Sequence, residues 1–208
     1  MIKFDKVKVD YVPQFSSLLD FTYTFNENCL LVGDELSGAN TVLRLIAGFD
    51  KIYSGKIFVN QEDIKQIKDK NLNLAFVSHE PYIFKSKNLE YNLAFGLKIR
   101  KINKKIIQNE VNSLILRYNL QSFNKKMKEL TLSQKKIITL LRAVIRKPKF
   151  LLLEYFFEDL EKEYFPLVEK ILNSACANTL IIACEKQENN LFESFKILHF
   201  NYGVLSTN

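Results

Sequence analysis

The sequence is short of the residues that staple chains, bind zinc or cross membranes. Its three cysteines, Cys29, Cys176 and Cys184, are odd in number, far apart and without a CxxC pair. This pattern excludes a disulfide framework and a cysteine zinc site, and is expected of reduced, buried small hydrophobes. No apolar run approaches the roughly 18–20 residues that a bilayer span needs, so the chain is not expected to cross a membrane by itself. The opening residues, Met1 to Lys6, hold no apolar core of a secretion signal, which gives the expectation of a cytosolic protein. Only two histidines occur, His79 and His199. Each is expected to be hydrogen-bonded or exposed, and no metal site is expected. There is no internal repeat, low-complexity tract or Pro/Ser-rich linker, so 208 residues read as one domain with room for a core.

What is present fits a globular chain: 47% hydrophobic and 25% charged residues. The formal net charge is +7. Lysines crowd at Lys65, Lys68 and Lys70, at Lys101, Lys104 and Lys105, and at Lys125, Lys126 and Lys128. Such runs can attract nucleic acid or an anionic membrane surface. They read here as a solvated face in a sequence rich in Lys, Asn, Ile and Phe, and nucleic acid is not an expected partner.

The pattern begins with strands over Ile2–Val9 and Ser17–Phe25, the second alternating polar and apolar residues as a half-buried antiparallel sheet requires. Cys29–Val32 is an apolar run ending in Gly33. A helix over Thr41–Ala47 is stopped by Gly48. Strands follow at Gly55–Asn60 and Leu72–Val77, and Asn88 to about Arg146 reads as helical. Within it Ile102, Ile106, Ile107, Val111, Leu114, Ile115 and Tyr118 form an amphipathic stripe. Phe150–Leu153 and Leu180–Ala183 are apolar without alternation, as strands of a parallel sheet covered on both faces must be. The fold class is α/β with a helical insertion.

Cys29 to Thr41 is a strand, a glycine loop and a helix start, with Gly33 and Gly38 spaced as in the phosphate-cradling loop GxxxxGK[ST]. Leu43 to Phe49 and Ser54 to Ile57 follow. On these residues the chain resembles the ATP-binding cassettes of ABC transporters. The likeness runs in order through Phe76–Phe84 (the Q-loop segment), Asn88–Leu97, Glu129–Gln134 (the signature), Pro148–Leu160 (Walker B and D-loop) and Ile181–Lys186. It is similar in wording to importer ATPases for sugars, polyamines or amino acids. The six glycines all fall where the family also has one. The resemblance implies a P-loop NTPase core of the ABC ATPase type, a parallel sheet flanked by helices. An N-terminal antiparallel β subdomain and a helical subdomain at about 79–147 complete a single cassette spanning 1–208. The chain is expected to stop before the extra regulatory β-domain of longer family members.

The family's chemistry has been replaced position by position. The loop lysine is Ala39 and the Mg²⁺-binding hydroxyl position is Asn40, followed by Thr41. Ser37 completes the loop, and Asp34 and Glu35 add acids. A like charge about 4 Å from a phosphate costs on the order of 4 kcal/mol at an effective dielectric near 20, whereas a helix N-terminus favours an anion by only about 0.3–1 kcal/mol. The Q-loop glutamine is His79. The Walker B aspartate is Glu154, and the catalytic glutamate beside it is Tyr155, which cannot serve as a carboxylate base; losing such a base costs about 10²–10⁴ in rate. The switch histidine is Glu185. Tyr11 stands at the family's adenine-stacking position, where stacking contributes roughly 0.5–1.5 kcal/mol, and is expected to pack on a sheet instead. Tyr155-Phe156-Phe157 is expected as packing at a sheet end, and Glu158, Asp159, Glu161 and Glu163 as solvated acids. No cation is expected near the loop to replace the lost lysine.

In the signature, Thr131 keeps a hydroxyl and Gln134 the glutamine, while Leu132 and Ser133 replace two glycines. Leu132 is expected to obstruct a partner's phosphate unless it turns toward the core. The resemblance therefore implies a pseudo-ATPase with no cofactor at its own site. It would pair with a second cassette, a heterodimer favoured over a homodimer, and dock through the region of Tyr82, Ile83, Phe84 and Tyr91 on a transmembrane permease at the inner face of the membrane. The alternative is a divergent but active ATPase using ATP and Mg²⁺, with Thr41, Glu154 or a partner residue filling the gaps.

Overall fold

The structure is a computed structural model, and it describes residues 1–9, 19–34, 36–68, 72–123, 126–188 and 190–206. These fall into two compact units, Met1–Phe76 with Lys149–Phe156 and Leu180–Asn208, and Val77–Pro148 with Phe157–Thr179.

The first unit holds two sheets. Strands β1 (Ile2–Val9) and β2 (Leu19–Phe25) alternate buried and solvent-facing residues and pair antiparallel, with Ile2 opposite Phe25 and Val9 opposite Leu19. The buried face is aromatic: the Phe4 ring lies 5.0 Å from Phe21 and 5.9 Å from Phe25. With β4 (Ser54–Val59) and β5 (Glu62–Asp63) they form a sheet of order β2-β1-β4-β5. The other sheet has six strands in the order β10-β9-β3-β8-β7-β6. Here β3 (Cys29–Val32), β7 (Phe150–Glu154) and β8 (Leu180–Glu185) run parallel and are buried along nearly their whole length. Continuous burial explains why their sequences show no alternation. β6 is Leu74–Val77, while β9 (Lys196–Asn201) runs parallel to β3 and turns back as β10 (Val204–Ser206). Helix α1 (Ala39–Ala47) buries Val42, Leu43, Leu45 and Ile46 in the same core and ends at Gly48, whose amide meets the carbonyls of Arg44 and Leu45.

The second unit is helical: α2 (Leu89–Lys98), α3 (Lys104–Arg117), α4 (Leu132–Val144) and α5 (Phe165–Cys176), with 3₁₀ turns at Leu120–Phe123 and Met127–Glu129 between α3 and α4 and at Lys162–Tyr164 before α5. Polar caps start three of them. The side chains of Asn88, Asn103 and Thr131 accept amides of Tyr91, Lys105 and Gln134 at 3.0, 2.8 and 3.2 Å. Each cap satisfies a donor that a helix start otherwise leaves without a partner. No helix among the described residues is long and apolar enough to cross a membrane.

The stretch from Asn88 to Arg146 is helical as expected, divided where Asn103 and Thr131 cap new helices. Other expectations need correction. The expected stripe is narrower: Ile107, Val111, Leu114 and Tyr118 are buried, but Ile102 and Ile106 are 38% and 53% exposed. Ile102 precedes the α3 cap, so the helix phase that would bury it has not begun. The strand expected from Leu72 begins at Leu74. Ser17 and Leu18, at the start of the second expected strand, lie outside the described residues.

Candidate functional site

In the first unit, the apolar strand β3 delivers the chain into a glycine loop and directly into α1. Gly38 is the N-cap of α1 and takes a left-handed φ of 88° with no side-chain cap. Gly33 donates its amide to the backbone carbonyl of Glu185 at 3.0 Å, tying the loop to the end of β8. A Cβ on Gly33 would meet Ser37 Oγ at 2.2 Å, so a side chain there is incompatible with the inward placement of Ser37.

The loop bonds to itself. The Leu36 amide donates to Asp34 Oδ1 at 3.0 Å, the Ser37 amide to the Asp34 carbonyl at 3.1 Å, and the Ala39 amide to Ser37 Oγ at 3.2 Å. The Ser37 hydroxyl donates in turn to the Asp34 carbonyl at 2.7 Å, and the Gly203 amide to the Ser37 carbonyl at 2.8 Å. Ser37, Ala39 and Thr41 are buried and Asn40 is half-buried. A loop that cradles phosphate presents its amides outward to the anion; three of these amides are already used.

Three more of the expected positions meet in this unit. Tyr155 is buried at a left-handed φ of 43°. Its amide donates to the Cys184 carbonyl at 2.8 Å and its hydroxyl to the Asp34 carbonyl at 3.3 Å. Tyr155 therefore does more than pack: it reaches the glycine loop. Glu154 Oε1 lies 4.0 Å from Nη1 of Arg44, which also grips Asp50 through two bonds of 2.9 and 3.2 Å. Glu185 is buried. Lys186 Nζ stands 5.8 Å from the centre of the Tyr155 ring. Burial pushes the neighbouring Cys184 thiol well above its ordinary range.

The other expected positions lie in the second unit. Thr131 and Gln134 form a reciprocal capping box, with Thr131 N–H donating to Gln134 Oε1 at 3.1 Å, and Gln134 Nε2 donates to the Tyr164 hydroxyl at 3.1 Å. Ser133 is fully buried and its Oγ accepts the Glu161 amide at 2.9 Å. Leu132 does not turn toward the core; it is 42% exposed. His79 lies 3.8 Å from Glu158 and 3.9 Å from Asp159. Beside it is a group that sequence reading missed. Lys136 is completely buried, its Nζ donates to the Glu158 carbonyl, and it lies 3.5 Å from His79 Nδ1. The signal was available, because Lys136, Leu140 and Ala143 share one helical stripe. Among the described residues no cluster of three His, Cys, Asp or Glu side chains could hold a metal. Tyr11 and Glu35, with Lys70 and Lys125 of the basic runs, lie outside the described residues.

The sequence pattern of one family, described as ABC transporter, matches residues 7–154. The chain is similar to the spermidine/putrescine import ATP-binding protein of Acetivibrio thermocellus, at 30% identity over 86% of this chain and 52% of that protein. The Mycoplasma mycoides protein of the same name is 32% identical over 90% of this chain and 54% of its own length. A molybdate/tungstate import ATP-binding protein of Methanocaldococcus jannaschii is 33% identical over 62% of this chain and 43% of its own. The chain thus spans about half the length of the curated relatives it matches. Among solved structures it is similar to an ATP-binding subunit of an ABC transporter, with a TM-score of 0.84, 14% identity, and coverage of 100% of this chain and 88% of that one. A dimeric ATP-binding cassette in a post-hydrolysis state with ADP and Pi gives the same TM-score at 15% identity, covering 100% of this chain and 97% of that one. The α/β fold is that of the ABC ATPases, and the chain belongs to the ABC transporter family.

Proposed function

We propose that this cassette is a pseudo-ATPase of a solute importer-like system: it keeps the family's fold, does not hydrolyse ATP at its own site, pairs with a second cassette and docks on a membrane permease. The observation that carries the reading is the self-bonded loop. The amides of Leu36, Ser37 and Ala39 have acceptors within the loop, and the Tyr155 hydroxyl adds a bond to the Asp34 carbonyl. A triphosphate would have to break these bonds and then face Asp34 with no lysine at Ala39. Like-charge repulsion of about 4 kcal/mol at 4 Å exceeds the 0.3–1 kcal/mol that a helix N-terminus returns. The residues present therefore do not fit ATP with Mg²⁺. Tyr155 offers no carboxylate to a water, and Glu154 stands beside Arg44.

A site without chemistry leaves a cassette its contacts. The exposed Tyr82 ring continues into Phe84, Tyr91 and Phe95 with centroid spacings of 5.6, 5.6 and 4.5 Å around Phe84. This face supports permease docking. A competent second cassette, rather than a second copy, would supply the hydrolysis that this one lacks, which favours a heterodimer at the inner face of the membrane.

The test uses the purified chain with millimolar Mg-ATP. A ligand at about 100 times its dissociation constant stabilises a fold by roughly 2.7 kcal/mol, a rise of about 5–11 °C in Tm for a chain of this size. We expect no rise and no phosphate release. A rise of several degrees with phosphate release overturns the reading in favour of the divergent active ATPase.

A further inference from the structure

One of the lysine runs carries exposed apolar side chains between its cations. From Lys98 to Ile106 all nine residues are exposed, and they comprise five basic residues, three isoleucines, one asparagine and no acid. The stretch forms the tip of the α2–α3 hairpin. The amides of Ile99, Arg100 and Lys101 close back on the carbonyls of Phe95, Leu97 and Lys98 at 3.2, 3.1 and 3.0 Å. Lys101 turns the chain with a left-handed φ of 56°, and the Asn103 cap starts α3. Lys98 Nζ sits 3.9 Å from the centre of the Tyr91 ring, and Arg100 donates to the Arg146 carbonyl at 3.2 Å. These contacts anchor the flanks of the tip. Lys101, Lys104 and Lys105 are its outward charges. Ile99, Ile102 and Ile106 are 59%, 38% and 53% exposed.

Single exposed aliphatic residues are ordinary on a protein surface. Three of them inside an unbroken cationic tip call for a surface that is anionic at its face and apolar just beneath. We propose that this hairpin tip is a contact site for an anionic bilayer surface, with the lysines among the headgroups and the isoleucines at the headgroup–acyl boundary. A nucleic acid would answer the lysines but not the isoleucines. Single strands are held by stacking on aromatic rings, which the tip lacks, and duplexes by phosphate contacts that need no aliphatic side chain. The acids nearby do not cancel the charge: Glu90 lines the α2–α3 groove together with Lys98 and Lys104, and Glu110 lies 3.6 Å from Lys147. The contact does not depend on whether the cassette binds nucleotide.

Co-sedimentation of the full chain with vesicles tests the proposal. At low ionic strength the protein should bind equimolar phosphatidylglycerol/phosphatidylcholine vesicles and leave pure phosphatidylcholine vesicles unbound. Each cation near an anionic surface is worth roughly five-fold in partitioning, so Lys101→Gln, Lys104→Gln and Lys105→Gln together should weaken binding about 100-fold. Ile99→Ser, Ile102→Ser and Ile106→Ser together should weaken it about ten-fold or more with no change in charge. Both variants should melt with the parent; should either not, Ile99→Ser alone, at the most exposed of the three isoleucines, carries the test. Absence of binding to anionic vesicles overturns the proposal. So does binding that the isoleucine changes leave intact, or an affinity for duplex DNA equal to that for the vesicles.

Discussion

Three donors converge on the Asp34 carbonyl: the Ser37 amide at 3.1 Å, the Ser37 hydroxyl at 2.7 Å and the Tyr155 hydroxyl at 3.3 Å. A carbonyl oxygen has two lone pairs, so the longest of the three is the weakest while all are present. Tyr155→Phe therefore removes a donor from an acceptor that stays satisfied, at a cost of about 0.5 kcal/mol, the bottom of the net range for a hydrogen bond. Ser37→Ala does more. It deletes the short bond and strips the amide of the buried Ala39 of its acceptor, and an unsatisfied buried donor costs about 1–3 kcal/mol. Without the Ser37 hydroxyl, Tyr155 becomes the second donor to the carbonyl, and its removal then costs about 1.5 kcal/mol. The double variant should lose about 1 kcal/mol more than the two single variants added together. Urea midpoints with a shared m value, measured without nucleotide, give all four corners of the cycle. A coupling below about 0.3 kcal/mol, or a Tyr155→Phe variant weaker than Ser37→Ala, would show that the tyrosine does not hold the loop.

Three further outcomes follow from the buried groups. Lys136→Met keeps most of the side-chain volume and removes a desolvated ammonium along with its bond to the Glu158 carbonyl, so it should stay within about 1 kcal/mol of the parent, whereas Lys136→Ala should lose about 2–4 kcal/mol through the space it leaves; equal losses in the two would refute a mainly packing role. Burial, with Glu27 beside it, pushes the Cys29 thiol up to about 12, and burial raises Cys184 further. The fold thus keeps protons that the unfolded chain releases above the ordinary thiol value of 9.0. This stabilisation is complete below that value and is lost as pH rises from 9.0 toward about 12, so urea midpoints should fall over that window. In a Cys176→Ser background, Cys29 and Cys184 should react with a thiol reagent only after unfolding, and prompt reaction in the native protein contradicts the assignment.

The parts of the fold legible in the sequence are those where one physical requirement acts alone. Strands β3, β7 and β8 are covered on both faces, so every residue must be apolar, and Cys29–Val32, Phe150–Leu153 and Leu180–Ala183 stand out for that reason. Gly48 marks the end of α1 because the cap there is left-handed at φ 75°. The less legible parts mix requirements. Helix α5 buries Val168, Ile171 and Leu172 at helical spacing, whereas the acids before it mark only a D-loop and an exposed helix. The β9–β10 hairpin turns through Tyr202-Gly203, a two-residue signal that the broken alternation of Lys196–Asn201 hides. In the loop, the family resemblance is what marks Ala39, Asn40 and Tyr155 as departures from the family pattern. The bonds that make the loop self-sufficient are not legible there, since they depend on where Ser37 Oγ and the Asp34 side chain point.

That distinction decides how much the glycine spacing can say about nucleotide. Gly33 is usually read as a residue kept bare for a phosphate, yet here the atom a Cβ would strike is Ser37 Oγ, at 2.2 Å. Gly38 is required by a φ of 88° at the helix start. A loop that had lost its anion would still lose this packing if either glycine were replaced. The two glycines therefore report the strand–loop–helix geometry, which the loop's own side chains are enough to maintain. On the reading proposed above, the chemistry is reported instead by the neighbours that glycine spacing ignores: Ala39 at the start of α1, Asp34 accepting the Leu36 amide, and Tyr155 bonding the Asp34 carbonyl.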